Sequence, residues 1–404
     1  MCTSKQLSDI SLKTIFLNKD ENGREIFIYN LKECVLTGQS LFYPNPLIYS
    51  YTDNCIYNPI NEKILSLEKL TNEPLNLIIN KPDIIETTPV FFFIYNTDNY
   101  YHFIYDTLPY LITYKYLKTY MNIKLLMNFP NCQTLKFYDF VNEFLNILNI
   151  TTDDIIIASP HTLYNIYIST SYTHDINSNL PPRKEIYLLY KEIYDKISNK
   201  IIVNNFPSKI YISRRTWIHN DFTNIGTNYT SKRIMTNETE LVNYLTSLGY
   251  SEIFTEKLST IDKILMFNNA SDVIGSIGGG ISNVLFSKSS CNLTAICSPH
   301  FLDINKRFIY SLCNVNLNIF QDTSHSEYGD FLKFMRVKYK EIVGEIIEIN
   351  GENITIAYLD EKISGWNNSM KYKTITINSR DCYKLDNGLN SAWKINMEKF
   401  KLII

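Results

Sequence analysis

The chain has 404 residues, 20% of them charged, with a formal net charge of -2 at pH 7. That length accommodates about two or three domains, each able to bury a core, and the charge balance excludes a surface made for nucleic acid or for an anionic membrane. The eight cysteines (Cys2, Cys34, Cys55, Cys132, Cys291, Cys297, Cys313, Cys382) are scattered without CxxC pairs or disulfide-framework density, so a reduced interior is expected.

The start, Met1-Cys-Thr-Ser-Lys, is polar and has no signal-peptide core, and no run of about 18 apolar residues exists. A soluble, cytoplasmic protein without a transmembrane segment is the expectation. Asn-x-Ser/Thr triplets at Asn228, Asn237 and Asn292 read as chance in an Asn-rich chain.

Residues 1 to 90 alternate short apolar runs with Asn, Pro and Thr, as in Ile26–Tyr29 and Leu75–Ile79, and predict strands in an irregular entry segment. From Tyr101 to Tyr120 the spacing is helical, with Pro109 expected to kink the helix near Tyr105. A helix over Leu135–Leu148, strands at Asp154–Ala158 and Asn165–Ser169, and a helix from Pro181 to about Ile197 follow. Lys209–Ser213 predicts a strand ending in the basic pair Arg214 and Arg215.

Asn237-Glu-Thr-Glu240 has the form of a capping box; Leu241, Tyr244, Leu245 and Leu248 share a face, and Gly249 stands where a C-terminal cap belongs. Next come a strand at Ile253–Phe254, a helix capped by Ser259 with Ile261, Ile264 and Leu265 inward, a strand at Val273–Ile274, a glycine corner, and the strand Leu293–Ile296. Alternating strand and helix predicts a parallel, doubly wound sheet, whose ligands sit beyond the carboxyl ends of the strands. An amphipathic piece at Asp330–Met335 precedes period-two runs (Ile346–Ile349, Asn353–Ala357, Thr374–Ile377) around the hairpin signal Asn350-Gly351. The resulting division is 1–200, 201–336 and an appended β module, 337–404.

Three constellations carry chemistry. His102 and Asp106, four apart on a predicted helix, share a face, so the carboxylate can orient the imidazole as a general base. A purely structural pair, and Asp106 as the base alone, are the alternatives. Arg214, Arg215 and Arg233 supply guanidinium forks matched to phosphate oxygens. The run Ile274-Gly-Ser-Ile-Gly-Gly-Gly-Ile-Ser-Asn283 reads as strand, glycine turn and helix start, in which Gly278, Gly279 and Gly280 allow positive φ and close approach, and Ser282 and Asn283 cap a helix whose amides accept an anion. The run is neither GxGxxG nor a P-loop. No DxD, HExxH or paired Cys/His spacing suggests a metal, and GxSxG is absent.

These blocks, Asn99-Tyr-Tyr-His-Phe-Ile-Tyr-Asp-Thr-Leu-Pro109, Ile212-Ser-Arg-Arg215, Arg233-Ile-Met-Thr-Asn-Glu238 and Gly278-Gly-Gly-Ile-Ser-Asn283, resemble glycosyltransferase family 61 in type and order. Phe103 stands where the family has tryptophan, and Ile277 where it has histidine. The resemblance implies an α/β, GT-B fold of two Rossmann-like domains facing a cleft, with the C-terminal β module outside it. It further implies inverting transfer from a nucleotide sugar, a UDP-sugar above all, to a hydroxyl of a glycan or glycoprotein, with no essential metal or other cofactor. His102 or Asp106 would be the base. Arg214, Arg215, Arg233 and the 278–283 loop would hold the diphosphate, and Glu238 would sit beside them, fixing an arginine, reaching the donor, or serving only as a favourable charge in a first helical turn. A transferase fold that binds glycan or nucleotide without turnover is the rival reading. No motif encodes oligomeric state; a homodimer is one option.

Overall fold

A computed structural model of the protein describes residues 14–39, 46–59, 62–65, 78–129, 135–173, 180–199, 205–215, 234–299, 306–325, 336–362, 370–384 and 392–404. The chain is mixed α/β and forms two compact units, Met1–Ile193 and Tyr194–Ile363 with Ser369–Ile404. The Asp330–Met335 piece and Arg233 lie outside the described residues.

The first unit holds β1 (Thr14–Lys19), β2 (Glu25–Gln39), β3 (Pro46–Ser50), β4 (Cys55–Asn58), β5 (Lys63–Leu65), β6 (Ile84–Ile85), β7 (Val90–Phe92), β8 (Lys124–Met127), β9 (Ile155–Ile157) and β10 (Thr162–Ser169). They make one sheet of order β5-β4-β3-β2-β10-β7-β8-β9, with β1 beside β2 and β6 beside β10. The strands up to β5 pair antiparallel, as short connections permit. From β10 through β7 and β8 to β9 the pairing is parallel, and helical crossovers fill the connections. Every residue of β7 is buried, the pattern of a strand covered on both faces. Of the strand expected at Leu75–Ile79, Ile78 and Ile79 are helical instead and the rest is outside the described residues. Ile79 is 74% exposed, so no buried face holds this piece in a sheet.

In the second unit, β11 (Lys209–Ile212), β12 (Ser251–Ile253), β13 (Asp272–Ser276), β14 (Asn292–Ile296) and β15 (Asn316–Phe320) form a parallel sheet of order β12-β11-β13-β14-β15. Alternate residues feed two cores. Ile210, Ile212 and Val273 pack with Met266, Phe267 and Val284, while Tyr211 and Ile274 pack with Leu241, Leu245 and Trp393 on the other face. The chain continues through β16 (Thr323–His325), β17 (Arg336–Tyr339), β18 (Ile342–Asn350), β19 (Asn353–Lys362), β20 (Met370–Asn378), β21 (Tyr383–Lys384) and β22 (Trp393–Ile395). Strands β17 to β21 form a separate antiparallel sheet with its own core around Val337, Ile346 and Ile356. Asn350 pairs with Asn353 across the hairpin, where Gly351 takes φ 60°. The last strand, β22, then pairs with β16, and Trp393, Met397 and Phe400 join the core of the parallel sheet.

Helix ends show which local signals are used. Gly249 takes φ 84°, Tyr250 N–H bonds the Leu245 carbonyl at 3.0 Å, and Gly249 N–H bonds that of Thr246 at 3.0 Å, the left-handed stop that the sequence predicts. Ser259 caps Thr260–Asn269 by accepting from Asp262 N–H at 3.0 Å. The capping box at Asn237 does not form. Asn237 Nδ2 donates to the Ile395 carbonyl (2.9 Å) and its Oδ1 accepts from Ile395 N–H (3.0 Å), so β22 takes the side chain that would have capped Glu238–Ser247. Leu248, expected inward, is 39% exposed at that helix's end. Among the described residues no helix is long and apolar enough to cross a membrane.

Candidate functional site

The first constellation sits where the chain leaves the carboxyl end of β7. Asn96 Oδ1 accepts from Asn99 N–H (3.0 Å), the Asn96 carbonyl accepts from Thr107 Oγ1 (3.0 Å), and Asn99 Oδ1 accepts from His102 N–H (3.3 Å). These bonds pin both ends of a short turn. Tyr100–His102 is α-helical, Phe103–Thr107 is a π turn, Leu108–Tyr110 is 3₁₀, and Leu111–Lys118 resumes the α-helix. The kink expected from Pro109 is thus a widened turn, with Leu108 N–H bonded to the Phe103 carbonyl. In that geometry the Ile104 carbonyl would bond residue 109, whose proline nitrogen has no hydrogen. The Tyr190 hydroxyl supplies the missing donor, at 2.8 Å, from the helix Glu185–Ser198.

On this turn His102 Nδ1 and Asp106 Oδ2 are 2.7 Å apart, with the side chains 25% and 11% exposed. A carboxylate on Nδ1 holds the proton there and leaves Nε2 as the basic nitrogen of the neutral ring. Phe103, at the family's tryptophan position, is fully buried, its ring 5.5 and 5.9 Å from those of Phe140 and Phe144, so an aromatic here packs the core. Asp98 is a neighbour that the sequence reading missed. Burial raises its carboxyl above the usual value, opposed by its own backbone N–H and by His102. Its place one residue before the cap of a helix bearing His102 is the signal that was available.

The second constellation lies at the carboxyl ends of β11, β12 and β13. Glu238, 1% exposed, is its hub: Oε1 accepts from Tyr211 OH (2.7 Å), Ser213 Oγ (3.3 Å) and Arg214 N–H (2.7 Å). Burial raises the Glu238 carboxyl, and the Arg214 N–H, the Tyr211 hydroxyl and the Arg214 charge pull it back. Burial likewise lowers Arg214, against the pull of Glu238, Tyr211 and Glu256; an arginine nonetheless stays cationic. Arg215 turns elsewhere. Its Nε and Nη2 fork the Glu252 carboxylate on β12 at 2.9 and 2.6 Å, which raises its pKa.

The glycine corner differs from expectation in two ways. Positive φ is not what Gly278, Gly279 or Gly280 supplies: none is among the positive-φ glycines, and Gly280 has φ -63° and ψ -45°. Close approach is. A Cβ at Gly278 would stand 2.8 Å from Arg214 Nη1, and one at Gly280 2.9 Å from both Ile212 Cγ2 and Thr255 Oγ1, whereas Gly279 faces open space. The corner also continues into a six-residue 3₁₀ segment, Ile281–Phe286, rather than an α-helix. Ser282 Oγ donates to the Gly279 carbonyl (2.5 Å) and Asn283 Nδ2 to that of Gly280 (2.8 Å), so both buried side chains tie down carbonyls of the glycine corner. A segment that short sums little dipole. Ile277, at the family's histidine position, packs into the apolar core.

The structure brings Arg214 and Gly280 together with Ser213, Thr255, Glu256 and Ser276 around one recess. Thr255, Glu256 and Ser276 were not foreseen, although each follows or ends a predicted strand, where ligands of parallel sheets bind. Among the described residues no group of three or more His, Cys, Asp or Glu side chains is placed to hold a metal ion.

Residues 100–294, just under half of the chain, match the family model described as Glycosyltransferase 61. No curated protein matches the sequence. The matched span contains the His102–Asp106 pair, the Arg214–Glu238 hub and the glycine corner, and over these residues the chain is similar to glycosyltransferase family 61.

Proposed function

We propose that the protein is an inverting, metal-independent transferase that moves a hexose or pentose from a nucleotide sugar, a UDP-sugar first, to a hydroxyl of a glycan or glycoprotein. The observation that carries this reading is the 2.7 Å His102–Asp106 bond within the family-matched span. His102 takes the proton of the acceptor hydroxyl through Nε2, and Asp106 stabilises the imidazolium that forms. The deprotonated oxygen attacks the anomeric carbon from the face opposite the leaving nucleoside diphosphate. Arg214, held through the Glu238 hub, stabilises the charge that develops on the departing phosphate, with Gly278 leaving room for its guanidinium. Each unit has parallel βα pairing, over β10-β7-β8-β9 of the first unit's mixed sheet and throughout the five-stranded sheet of the second, which is material for a GT-B organisation. The described cysteines are all free thiols, and Cys291 and Cys297 are pushed up to about 11 and about 12 by burial, which suits a reducing, cytoplasmic setting.

The test is UDP release from a panel of UDP-sugars in EDTA with candidate acceptor glycans, followed by NMR of the product's anomeric configuration. Inversion without metal supports the reading. Retention, or turnover abolished by EDTA, overturns the mechanism. Binding of a nucleotide sugar with no turnover on any acceptor favours a binding protein instead.

A further inference from the structure

The recess where β11, β12 and β13 end is small, ≈ 20 Å³, the room of one or two waters. A nucleobase or pyranose ring does not enter it; a phosphoryl oxygen or a hydroxyl does. Ser276, 5% exposed, stands in its wall with a buried Oγ that has no hydrogen-bond partner. Leaving such a hydroxyl unmet is costly, so the position is built for a group that arrives from outside.

Arg214 and Glu256 share the same wall with opposite charges. The guanidinium and the Ser276 hydroxyl are donors suited to phosphate oxygens, but a carboxylate only accepts and repels an anion. A seat for a bare anion has no use for Glu256. A seat for a phosphate with a hydroxyl close beside it does.

We propose that Ser276 and Arg214 donate here to a phosphoryl oxygen while Glu256 accepts from a hydroxyl adjoining that phosphate, so that the recess reads a phosphorylated polyol. The inference rests on the nucleotide-sugar reading above and assigns Ser276 and Glu256 as its specificity-determining residues. The hydroxyl has two sources, the ribose of the nucleotide and the transferred sugar.

The experiment is calorimetric titration of the full-length protein and of Ser276→Ala and Glu256→Gln, each checked for an unchanged melting temperature. The probes are inorganic diphosphate, UDP, 2′,3′-dideoxy-UDP, UDP-xylose and UDP-N-acetylglucosamine. Ser276→Ala is expected to weaken every phosphate-bearing ligand about tenfold, and Glu256→Gln to weaken a hydroxyl-bearing ligand about tenfold while leaving diphosphate unweakened. If ribose is the source, dideoxy-UDP binds the wild type as weakly as UDP binds Glu256→Gln, and the variant costs it nothing more. If the sugar is the source, UDP is indifferent to Glu256→Gln and only the bound UDP-sugar loses affinity. Nucleotides that bind the wild type and both variants alike overturn this inference and leave the donor reading intact. Diphosphate binding that depends on Ser276, with no nucleotide bound, overturns the donor reading and the hydroxyl half together. Wild-type protein that binds none of the probes overturns both.

Discussion

The His102–Asp106 turn and the Arg214–Glu238 recess are both polar clusters at the carboxyl ends of parallel strands, but they are assembled differently. The first joins two side chains four residues apart on one turn. The second gathers Ser213, Thr255, Ser276 and Gly280, whose meeting depends on strand order β12-β11-β13 and on a buried carboxylate reaching back from the next helix. A cluster of the first kind can lose a side chain and keep its fold, because the helix that carries it is held by other residues. One of the second kind is part of the core, and its chemistry and its stability are coupled.

His102→Ala tests that contrast most sharply. It is expected to cut transfer by about 10² to 10⁴ with stability changed by less than about 1 kcal/mol, as kinetics and urea denaturation would measure. Full activity would remove His102 as the base. Glu238→Ala should do the reverse, stripping the acceptor from Tyr211, Ser213 and the Arg214 N–H at a stability cost on the order of 3–5 kcal/mol. A cost below about 1 kcal/mol would mean that the recess does not depend on this hub.

Smaller changes sharpen the comparison within the recess. Gly280→Ala forces a Cβ within 2.9 Å of Ile212 and Thr255 and should destabilise by about 1–3 kcal/mol. Gly279→Ala enters open space and should stay within about 0.5 kcal/mol. Equal costs at the two positions would refute the close-approach account of the glycines.

Asp98 tests burial in the first unit through pH. Its folded pKa is raised above the ordinary 3.8 by desolvation, so the stability that its neutral form contributes is complete below that ordinary value and is lost as pH rises through the folded one. Asn at this position does not ionise. The melting temperature of Asp98→Asn relative to wild type should therefore rise between about pH 4 and pH 7; a fall would contradict the assigned direction. Arg215→Ala, which breaks the bidentate fork on the part-buried Glu252, is expected to cost about 1–3 kcal/mol of stability and to leave UDP affinity unchanged. A tenfold loss of UDP affinity would return Arg215 to the ligand.

Much of the second unit was legible because its signals are short-range. The strands at Lys209, Val273 and Leu293, the Ser259 cap, the Gly249 stop and the Asn350-Gly351 hairpin each depend on residues within about one turn or one strand, and each appears where the residues predict it. The cap expected at Asn237 failed because its side chain went to Ile395, 158 residues away. No local pattern carries that competition.

The sequence by itself determined the α/β alternation, the similarity to glycosyltransferase family 61 over residues 100–294 and the i, i+4 pairing of His102 with Asp106, because periodicity, motif order and helical spacing are set by neighbours along the chain. Tertiary structure alone decided that Arg215 pairs with Glu252 while Arg214 lines the recess, and that the glycines serve close approach. It also decided that Tyr190 meets the carbonyl left open by Pro109 and that Trp393 closes the core of the parallel sheet. Each of these joins residues far apart in sequence, and which partner wins depends on strand order and on the cost of leaving a buried polar group unpaired.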